Sequence, residues 1–242
     1  MLGTAQDSLL SLVFPQKCQV CSGQVERQAD GVACIECWSS TRLFDRSEML
    51  CEKCGAFIGD KAGGHPVYCH QCDDHSYDKA AALGVYEKGL AAAVIDLKKR
   101  PFLAVRIKEA IHEFVRLSEM FHDSVIVPVP LSIQRRKERG FNQAEVIAKA
   151  LSRSSSFSLD SASLVRKSHT PIHRAGMDKK ARELSVKKAF EVVRPRLISE
   201  KPIILVDDVF TSGSTASACA KALKKNGASS VNVFTLARAV LR

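Results

Sequence analysis

Two adjacent carboxylates, followed by a loop rich in hydroxyls, are the residues of this chain whose types and spacing best fit ligand chemistry. Asp207 and Asp208 come directly after residues 203–206, a β-branched and aliphatic run that predicts a strand buried in a parallel sheet. We expect the pair to lie where that strand ends, because ligands of open α/β sheets bind beyond the carboxyl ends of the strands. Carboxylates accept hydrogen bonds from the vicinal hydroxyls of a ribose and help to hold Mg²⁺. The pair therefore predicts a site for a sugar.

The segment after the acid pair offers hydroxyls and backbone N–H groups to an anion. Its members are Thr211, Ser212, Gly213, Ser214 and Thr215, ahead of a predicted helix that runs to about residue 226. Successive N–H groups at a helix N-terminus attract phosphate, and Gly213 lets the backbone adopt a positive φ close to a ligand. The alternative is a solvated turn with an ordinary helix N-cap. Two acids directly after a buried strand favour the binding site, and the ligand that fits both features is a sugar phosphate.

Residues 206–215, VDDVFTSGST, closely resemble the phosphoribosyl pyrophosphate (PRPP) loop of type I phosphoribosyltransferases. The resemblance covers the whole motif. It implies that Asp207 and Asp208 hold the ribose hydroxyls, that residues 211–215 wrap the 5′-phosphate, and that Mg²⁺ accompanies PRPP.

A second group of residues suited to phosphate follows the predicted strand 125–129. Its cations are Arg135, Arg136, Lys137 and Arg139, in a segment predicted to be a loop that ends at residues 140–143. Guanidinium groups grip phosphate oxygens in a bidentate manner. A charge run is usually a solvated face, but this one follows a strand at the same edge of the sheet as the acid pair, which favours binding.

Residues 128–145, PVPLSIQRRKERGFNQAE, strongly resemble the second signature of the ComF/GntX family, whose founding member is a competence protein. By that resemblance, Arg139 and neighbours such as Arg135 meet the pyrophosphate end of PRPP.

Eight of the nine cysteines form four CxxC pairs within residues 18–72. The pairs are Cys18 and Cys21, Cys34 and Cys37, Cys51 and Cys54, and Cys69 and Cys72. Two pairs complete one tetrahedral zinc site, so the spacing predicts two structural zinc ions. Sequential pairing is the default, although crossed pairing fits the same spacing. Closed four-thiolate sites fold a segment that has too little apolar material of its own, and we favour this role over CxxC redox chemistry.

The residues near these cysteines are predicted to be structural. His65, His70 and His75 are predicted to be surface residues, since eight cysteines already suffice for two zinc ions. Trp38 is predicted to pack against the metal core, with stacking on a nucleic acid base as the alternative. Cys219, the ninth cysteine, is predicted to be a buried packing residue.

From residue 79 onward the apolar pattern alternates between strands and helices, which predicts a parallel sheet. Predicted strands are 80–86, 125–129, 203–206 and 231–236. Predicted helices are 90–98, 103–121 and 142–152, with a last helix that follows the loop 211–215 and runs to about residue 226. The predicted fold class is α/β, a type I phosphoribosyltransferase-like sheet with helices on both faces, preceded by a small zinc-ribbon module. We place the N-terminal helix and double zinc ribbon in residues 1–78 and the phosphoribosyltransferase-like domain in residues 79–242.

The basic segment from Arg166 to Lys188 is predicted to be a mobile lid over the reacting centre, with a basic surface loop as the alternative. Arg182 is the lid residue that the ComF resemblance carries over. ComF-like chains carry an asparagine where this chain has Ser185, so the asparagine role is not assigned here. No general base stands out in the sequence.

Composition bounds the compartment and the partners. The chain has 242 residues and a formal net charge of +10. Eight thiolates holding two Zn²⁺ ions would lower that charge to about +6, still basic enough to attract polyphosphate or nucleic acid. The apolar patch 9–14 is predicted to be a short amphipathic helix, because no basic leader precedes it. No segment reaches membrane-spanning length, so we expect a cytoplasmic protein without membrane insertion.

The ComF resemblance extends over almost the whole chain and includes residues 86–98, YEKGLAAAVIDLK. It implies a phosphoribosyltransferase-type protein linked to uptake of single-stranded DNA in natural transformation. The implied partners are PRPP or a related phosphoribosyl ligand, single-stranded DNA and other competence proteins. The alternative is a non-catalytic protein that senses PRPP or a nucleotide, or a DNA-binding adaptor on the same scaffold.

Overall fold

The computed structural model describes residues 14–45, 48–60, 66–118, 120, 123–167 and 189–240. The predicted amphipathic helix lies almost entirely outside these residues. His65 also lies outside them, as does all of the predicted lid 166–188 after residue 167, including Arg182 and Ser185. Within them, no helix combines the length and apolar character needed to cross a membrane.

The N-terminal region is built from two small antiparallel ribbons. The first pairs β1 (Gln16–Lys17) with β2 (Gln24–Val25) and is followed by α1 (Ile35–Ser39). The second pairs β3 (Glu48–Leu50) with β4 (Phe57–Asp60). Each ribbon carries one CxxC pair at its turn, and a single turn of 3₁₀ helix (Gln28–Asp30 and His70–Cys72) lies near each of the two later pairs. Such short elements bury little apolar surface by themselves, which fits a metal-dependent fold.

A parallel sheet forms the centre of the rest of the chain. Its strands are β5 (Lys79–Val85), β6 (Val125–Pro128), β9 (Pro202–Phe210) and β10 (Ser230–Arg238), in the spatial order β5-β10-β9-β6. The helices are α2 (Lys88–Leu97), α3 (Val105–Leu117), α4 (Ile133–Arg139), α5 (Gln143–Ser155) and α6 (Ser214–Lys225). A small antiparallel pair, β7 (Leu164–Arg166) and β8 (Phe190–Val192), packs against α6.

Helices cover both faces of the sheet because alternate residues of its strands are apolar. In β9, Ile204 and Val206 belong to the core shared with α2, α3 and α5, whereas Ile203 and Leu205 belong to the core shared with α6. All four side chains are fully buried. Side chains of a strand alternate between its two faces, so a continuous apolar run is what a doubly covered strand requires. The predicted arrangement, an α/β parallel sheet with helices on both faces behind a zinc-ribbon module, is confirmed.

The ribbons dock on the edge strand β5. The N–H of Ala80 donates to the carbonyl oxygen of Lys53 (2.7 Å), and the N–H of Val85 donates to that of Arg42 (2.9 Å). Gly84 permits this approach, since a Cβ there would lie 2.3 Å from the Arg42 carbonyl oxygen. The first group of cysteines joins the core on the α2 and α3 face, and the second joins the core on the α6 face. The two ribbons therefore cover opposite faces at the same edge.

Two predictions of local structure are wrong. β9 continues to Phe210, so Asp207 and Asp208 lie within the strand and not after it, because β10 pairs with it as far as Phe210. The cationic segment predicted as a loop is helix α4, which begins after the N-cap Ser132 and ends at Gly140 in the left-handed conformation. The other predicted strands and helices of the sheet domain are present, with bounds shifted by a few residues.

Candidate functional site

Eight cysteines form two compact four-sulfur groups, and the sequential pairing is confirmed. The first site contains Cys18, Cys21, Cys34 and Cys37, and the second contains Cys51, Cys54, Cys69 and Cys72. Within each group all ligand sulfurs lie within 4.8 Å of one another, with measured pairs at 3.4–3.7 Å. Zn–S bonds of 2.3 Å in a tetrahedron place sulfurs about 3.8 Å apart. The donor sets therefore fit two structural zinc ions.

Backbone N–H groups support thiolates in both sites. Burial opposes ionisation of Cys18 and Cys51, yet N–H donors, including those of Cys34 and Cys69, lower each pKa to about 6. Burial and then the neighbouring sulfurs raise the pKa of Cys37. Several thiolates at such distances need a cation between them. This charge requirement is the chemistry that a bound zinc ion satisfies.

Four of the described residues were predicted to be structural or to lie on the surface, and the structure confirms three of these predictions. Trp38 is buried in the core with the first cysteine site, and its indole N–H donates to the Asp30 carbonyl oxygen (2.9 Å), as predicted for a packing role. Cys219 is fully buried and His70 is exposed, as predicted. His75 was predicted to be a surface residue and this is wrong: it is half-buried, with Nδ1 2.6 Å from the Tyr77 hydroxyl.

The acid pair lies near the carboxyl end of β9. Oδ1 of Asp207 accepts from the N–H of Asp208 (2.9 Å), and Oδ1 of Asp208 accepts from the N–H of Val209 (2.8 Å). The Lys98 ammonium, at the end of α2, lies 4.0 Å from Oδ2 of Asp208. Carboxylate oxygens accept hydrogen bonds from ribose hydroxyls and coordinate hard cations, so the chemistry of this pair suits either ligand.

Burial, followed by the negative charge of Asp208, raises the pKa of Asp207 to about 7. The N–H of Asp208 and the charge of Lys98 act in the opposite direction. Asp207 alternates with Ile203 and Leu205 along β9 and so lies on the α6 face. Burial and then the charge of Asp207 raise the pKa of Cys219 on α6. A carboxyl group whose pKa lies near 7 in the ligand-free protein is typical of a site that binds a cation or hydroxyl donors.

The raised pKa of Asp207 predicts a pH-dependent gain in stability on substitution by asparagine. A buried acid with a raised pKa does not destabilise the fold at low pH, where it is protonated. The free energy of unfolding falls as the pH rises through the folded-state pKa of about 7, because the carboxyl must then ionise in the folded protein. Asp207→Asn removes that cost. We expect its stability advantage over the wild type to grow by about 2 kcal/mol between pH 5 and pH 8. Denaturant unfolding at both pH values measures this, and an advantage independent of pH would contradict the shift.

The loop after β9 has the geometry of an anion-binding helix start. Gly213 caps α6 in the left-handed conformation, with φ at 75°. Oγ of Ser212 lies 2.6 Å from Oγ of Ser214, and the N–H of Ser214 is directed at Oγ of Ser212 (3.4 Å). Thr211 and Ser212 are exposed, and Ser214 and Thr215 are half-buried. The first turn of α6 thus presents N–H groups and hydroxyls to solvent beside the acid pair.

The fold joins the arginine segment to the acid pair. The N–H of Val129 donates to the carbonyl oxygen of Val206 (2.8 Å), directly before Asp207, and the buried amide of Asn142 donates to the Val129 carbonyl oxygen (3.0 Å). Helix α4 starts at Ile133, four residues after Val129. It carries Arg135, which is exposed, and Arg139, which is half-buried. Both predicted segments therefore lie at one edge of the sheet.

Three residues near this edge were not predicted to take part in the site. Lys98 approaches Asp208 from α2, and His75 lies against the loop glycine. Gln143 is 2% exposed, and its Nε2 atom has no hydrogen-bond partner among the described residues. Lys98 and Gln143 both fall in the segments that carry the ComF resemblance, which was the available signal. His75 had no local signal, because its contacts are made by residues distant in sequence.

Together, the fold and its cysteine sites define a double zinc ribbon fused to a parallel α/β domain that carries an acid pair near the carboxyl end of β9. Residues 9–73 match the Double zinc ribbon domain family. Competence protein F of Haemophilus influenzae is 30% identical over 241 residues, covering 93% of this chain and 98% of the relative. DNA utilization protein YhgH of Escherichia coli is 28% identical over 236 residues, covering 94% and 99%. The chain belongs to the competence protein F family.

A solved structure also matches part of the chain. Glutamine PRPP amidotransferase from B. subtilis, complexed with ADP and GMP, is similar over 53% of this chain and 26% of its own, at 16% identity and a TM-score of 0.36. The chain thus spans about a quarter of that enzyme.

Proposed function

We propose that the protein binds PRPP with Mg²⁺ at the carboxyl end of β9. The proposal rests on one continuous segment of backbone, which contains a buried strand, the acid pair, a left-handed glycine and the first turn of α6. Asp207 and Asp208 would accept the ribose hydroxyls, and residues 211–215 would hold the 5′-phosphate through N–H groups and hydroxyls. The resemblance of residues 206–215 to PRPP loops supports the same ligand.

Arg135 and Arg139 would meet the pyrophosphate end, because α4 begins beside the acid pair and presents guanidinium groups there. If transfer occurs, these groups neutralise charge that develops on leaving pyrophosphate, as electrostatic stabilisation requires. The oxygen donors of the acid pair, together with ligand oxygens, fit Mg²⁺, which would supply further charge neutralisation. The acceptor of the phosphoribosyl group is not assigned, and a protein that senses PRPP without turnover uses the same contacts.

Calorimetric titration with PRPP, with and without Mg²⁺, tests this proposal. We expect magnesium-dependent binding by the wild type and at least about 100-fold weaker binding by Asp207→Ala/Asp208→Ala, because the ribose hydroxyls lose their acceptors. Zinc content and thermal midpoint confirm that the variant is folded. Equal binding by the two proteins would remove the acid pair from the site.

Relatives named for competence and DNA utilization support a role in handling DNA, and we propose uptake of single-stranded DNA as the process served. A specific feature favours DNA contact. A cleft of about 700 Å³ lies between the second ribbon and α6, lined by Lys53, Lys221, Lys224 and Lys225 with residues 75–78. Lys224 pairs with Asp78 (2.5 Å), whereas Lys221 and Lys225 face the cleft from exposed positions. Converging ammonium groups suit a phosphate backbone.

Binding of a labelled oligonucleotide at several salt concentrations tests the cleft. Each lost phosphate contact should reduce the slope of log K against log salt by about 0.7 for a single strand. For Lys221→Ala/Lys225→Ala, which removes two such contacts, we expect a reduction of about 1.4. Lys108→Ala/Lys149→Ala is the matched control, because these exposed lysines lie on the helices of the opposite face. Equal slopes for the two double variants would place any DNA contact elsewhere.

The proposal includes a cytoplasmic location and a boundary at residues 78 and 79. Eight thiolates that hold zinc require a reducing compartment, which supports the location. Strand β5 begins at Lys79, directly after the ribbons, which supports the boundary.

A further inference from the structure

The second cysteine site is linked through His75 to the loop of residues 211–215. The backbone N–H of His75 donates to the carbonyl oxygen of Cys72 (3.1 Å), a member of that site. The imidazole lies against the loop glycine, because a methyl group added at Gly213 would come within 2.8 Å of Cε1. His75 thus lies between the metal-binding cysteines and the residue that starts α6.

Neighbouring contacts hold the imidazole in place against the loop. Nδ1 of His75 lies 2.6 Å from the Tyr77 hydroxyl, and the Tyr77 ring packs edge-on against Phe210, with ring centroids 5.8 Å apart. The N–H of Ser76 donates to Oγ of Ser217 on the first turn of α6 (3.0 Å). Both ends of the loop are therefore fixed by the segment that follows the last cysteine.

Arg238 forms a second link between the same cysteine site and the loop. Its guanidinium donates to the carbonyl oxygen of Cys54 and lies 3.5 Å from the Cys54 sulfur. It also stacks over the Phe210 ring at 4.6 Å, and Phe210 is the last residue of β9. The first cysteine site belongs to the core on the other face of the sheet. The two sites therefore differ in their relation to the loop.

We infer that the second four-cysteine site sets the conformation of residues 211–215, with His75 as the positioning residue. The sulfurs fix Cys72, Cys72 fixes the backbone of His75, and the imidazole limits where Gly213 can lie. Emptying this site frees the loop, whereas emptying the first site leaves the loop contacts in place. The consequence for PRPP rests on the proposed function, but the consequence for loop conformation does not.

Hydrogen exchange of residues 209–217 in the ligand-free protein tests the inference directly. We expect His75→Ala to lose protection there by at least about tenfold, because loss of the ring frees one side of the loop. PRPP binding should weaken by about tenfold or more, since small misplacements of a binding group are costly. Zinc content should stay at two ions per chain. His75→Asn, which can still bond the Tyr77 hydroxyl, should restore part of the protection.

His70→Ala is the matched control, since this exposed histidine lies in the same module between Cys69 and Cys72. Cys72→Ser and Cys37→Ser extend the test to the metal: protection of the loop should fall in the first variant and persist in the second. If both cysteine variants misfold, hydrogen exchange of the His75 variants still tests whether His75 positions the loop. Unchanged exchange in His75→Ala would overturn the inference. A loss of protection without PRPP binding by the wild type would uphold it and reject the proposed ligand.

Discussion

Removal of both zinc ions is expected to unfold the two ribbons and to expose the edge strand β5. Structural zinc sites contribute roughly 10 kcal/mol or more each, which equals or exceeds the whole stability of an ordinary domain. Strand β5 is affected because its Ala80 and Val85 N–H groups donate to carbonyl oxygens of Lys53 and Arg42 in the ribbons. Chelator titration should release two zinc ions per chain, and hydrogen exchange should rise in residues 14–59 and 79–85 together.

The ninth cysteine gives a control for this experiment. Cys219 is fully buried on α6 and belongs to neither four-sulfur site. Cys219→Ala should therefore still bind two zinc ions, while Cys51→Ser should bind one. Full native exchange protection in the zinc-free protein would contradict a structural role for the metal and reopen the redox alternative.

Features with a local cause were predictable from the sequence. The four CxxC pairs reveal zinc ligands because the ligands of one half-site are close in sequence. The runs in β9 and β10 predict buried strands because both faces of each strand are covered. The pairing of the cysteines was not predictable, since near-equal spacing permits crossed and sequential arrangements alike. The structure decides it, because the sulfurs of the first two pairs lie within 4.8 Å of one another, as do those of the last two pairs.

Two errors in the predicted site have physical reasons. The polar residues Asp207 and Asp208 suggest a strand end, but backbone pairing with β10 continues to Phe210 regardless of side-chain polarity. The cations of α4 suggest a loop, although Ser132 and Gly140 are a standard N-cap and a left-handed C-cap for a helix of seven residues. That helix was therefore predictable from its caps, whereas the strand extension was not.

Contacts between distant segments account for the remainder of the site. Lys98 reaches Asp208 across 110 positions of sequence, and Ser76 bonds Ser217 across 141. Such pairs leave no periodic pattern in either segment. The contact of His75 with Gly213 also shows that the segment after the last cysteine does more than cover an edge, because it reaches the loop proposed to bind phosphate.

Gly213→Ala is expected to weaken PRPP binding by about 100-fold, because the loop would shift by a distance that misplaces its N–H donors. A Cβ at this position would lie 2.7 Å from Cζ of Phe210 and 2.8 Å from Cε1 of His75. Neither neighbour can easily withdraw, since both are held by the contacts of Tyr77. Calorimetry with PRPP measures the loss, and Gly59→Ala is the binding control, because no atom lies within 4 Å of a Cβ there.

The free energy of unfolding of Gly140→Ala separates the steric collision at Gly213 from the strain of the left-handed backbone. Gly140 has φ at +76° and Gly213 has φ at +75°, but a Cβ at Gly140 meets no atom within 4 Å. Both variants should lose about 1 kcal/mol of unfolding free energy from the left-handed conformation. Gly213→Ala should lose a further 1–3 kcal/mol or so, as overpacked sites do. Equal free energies of unfolding for Gly213→Ala and Gly140→Ala would mean that the loop moves freely away from His75. That result would contradict both the inferred coupling between the second ribbon and the loop and the predicted loss of PRPP binding.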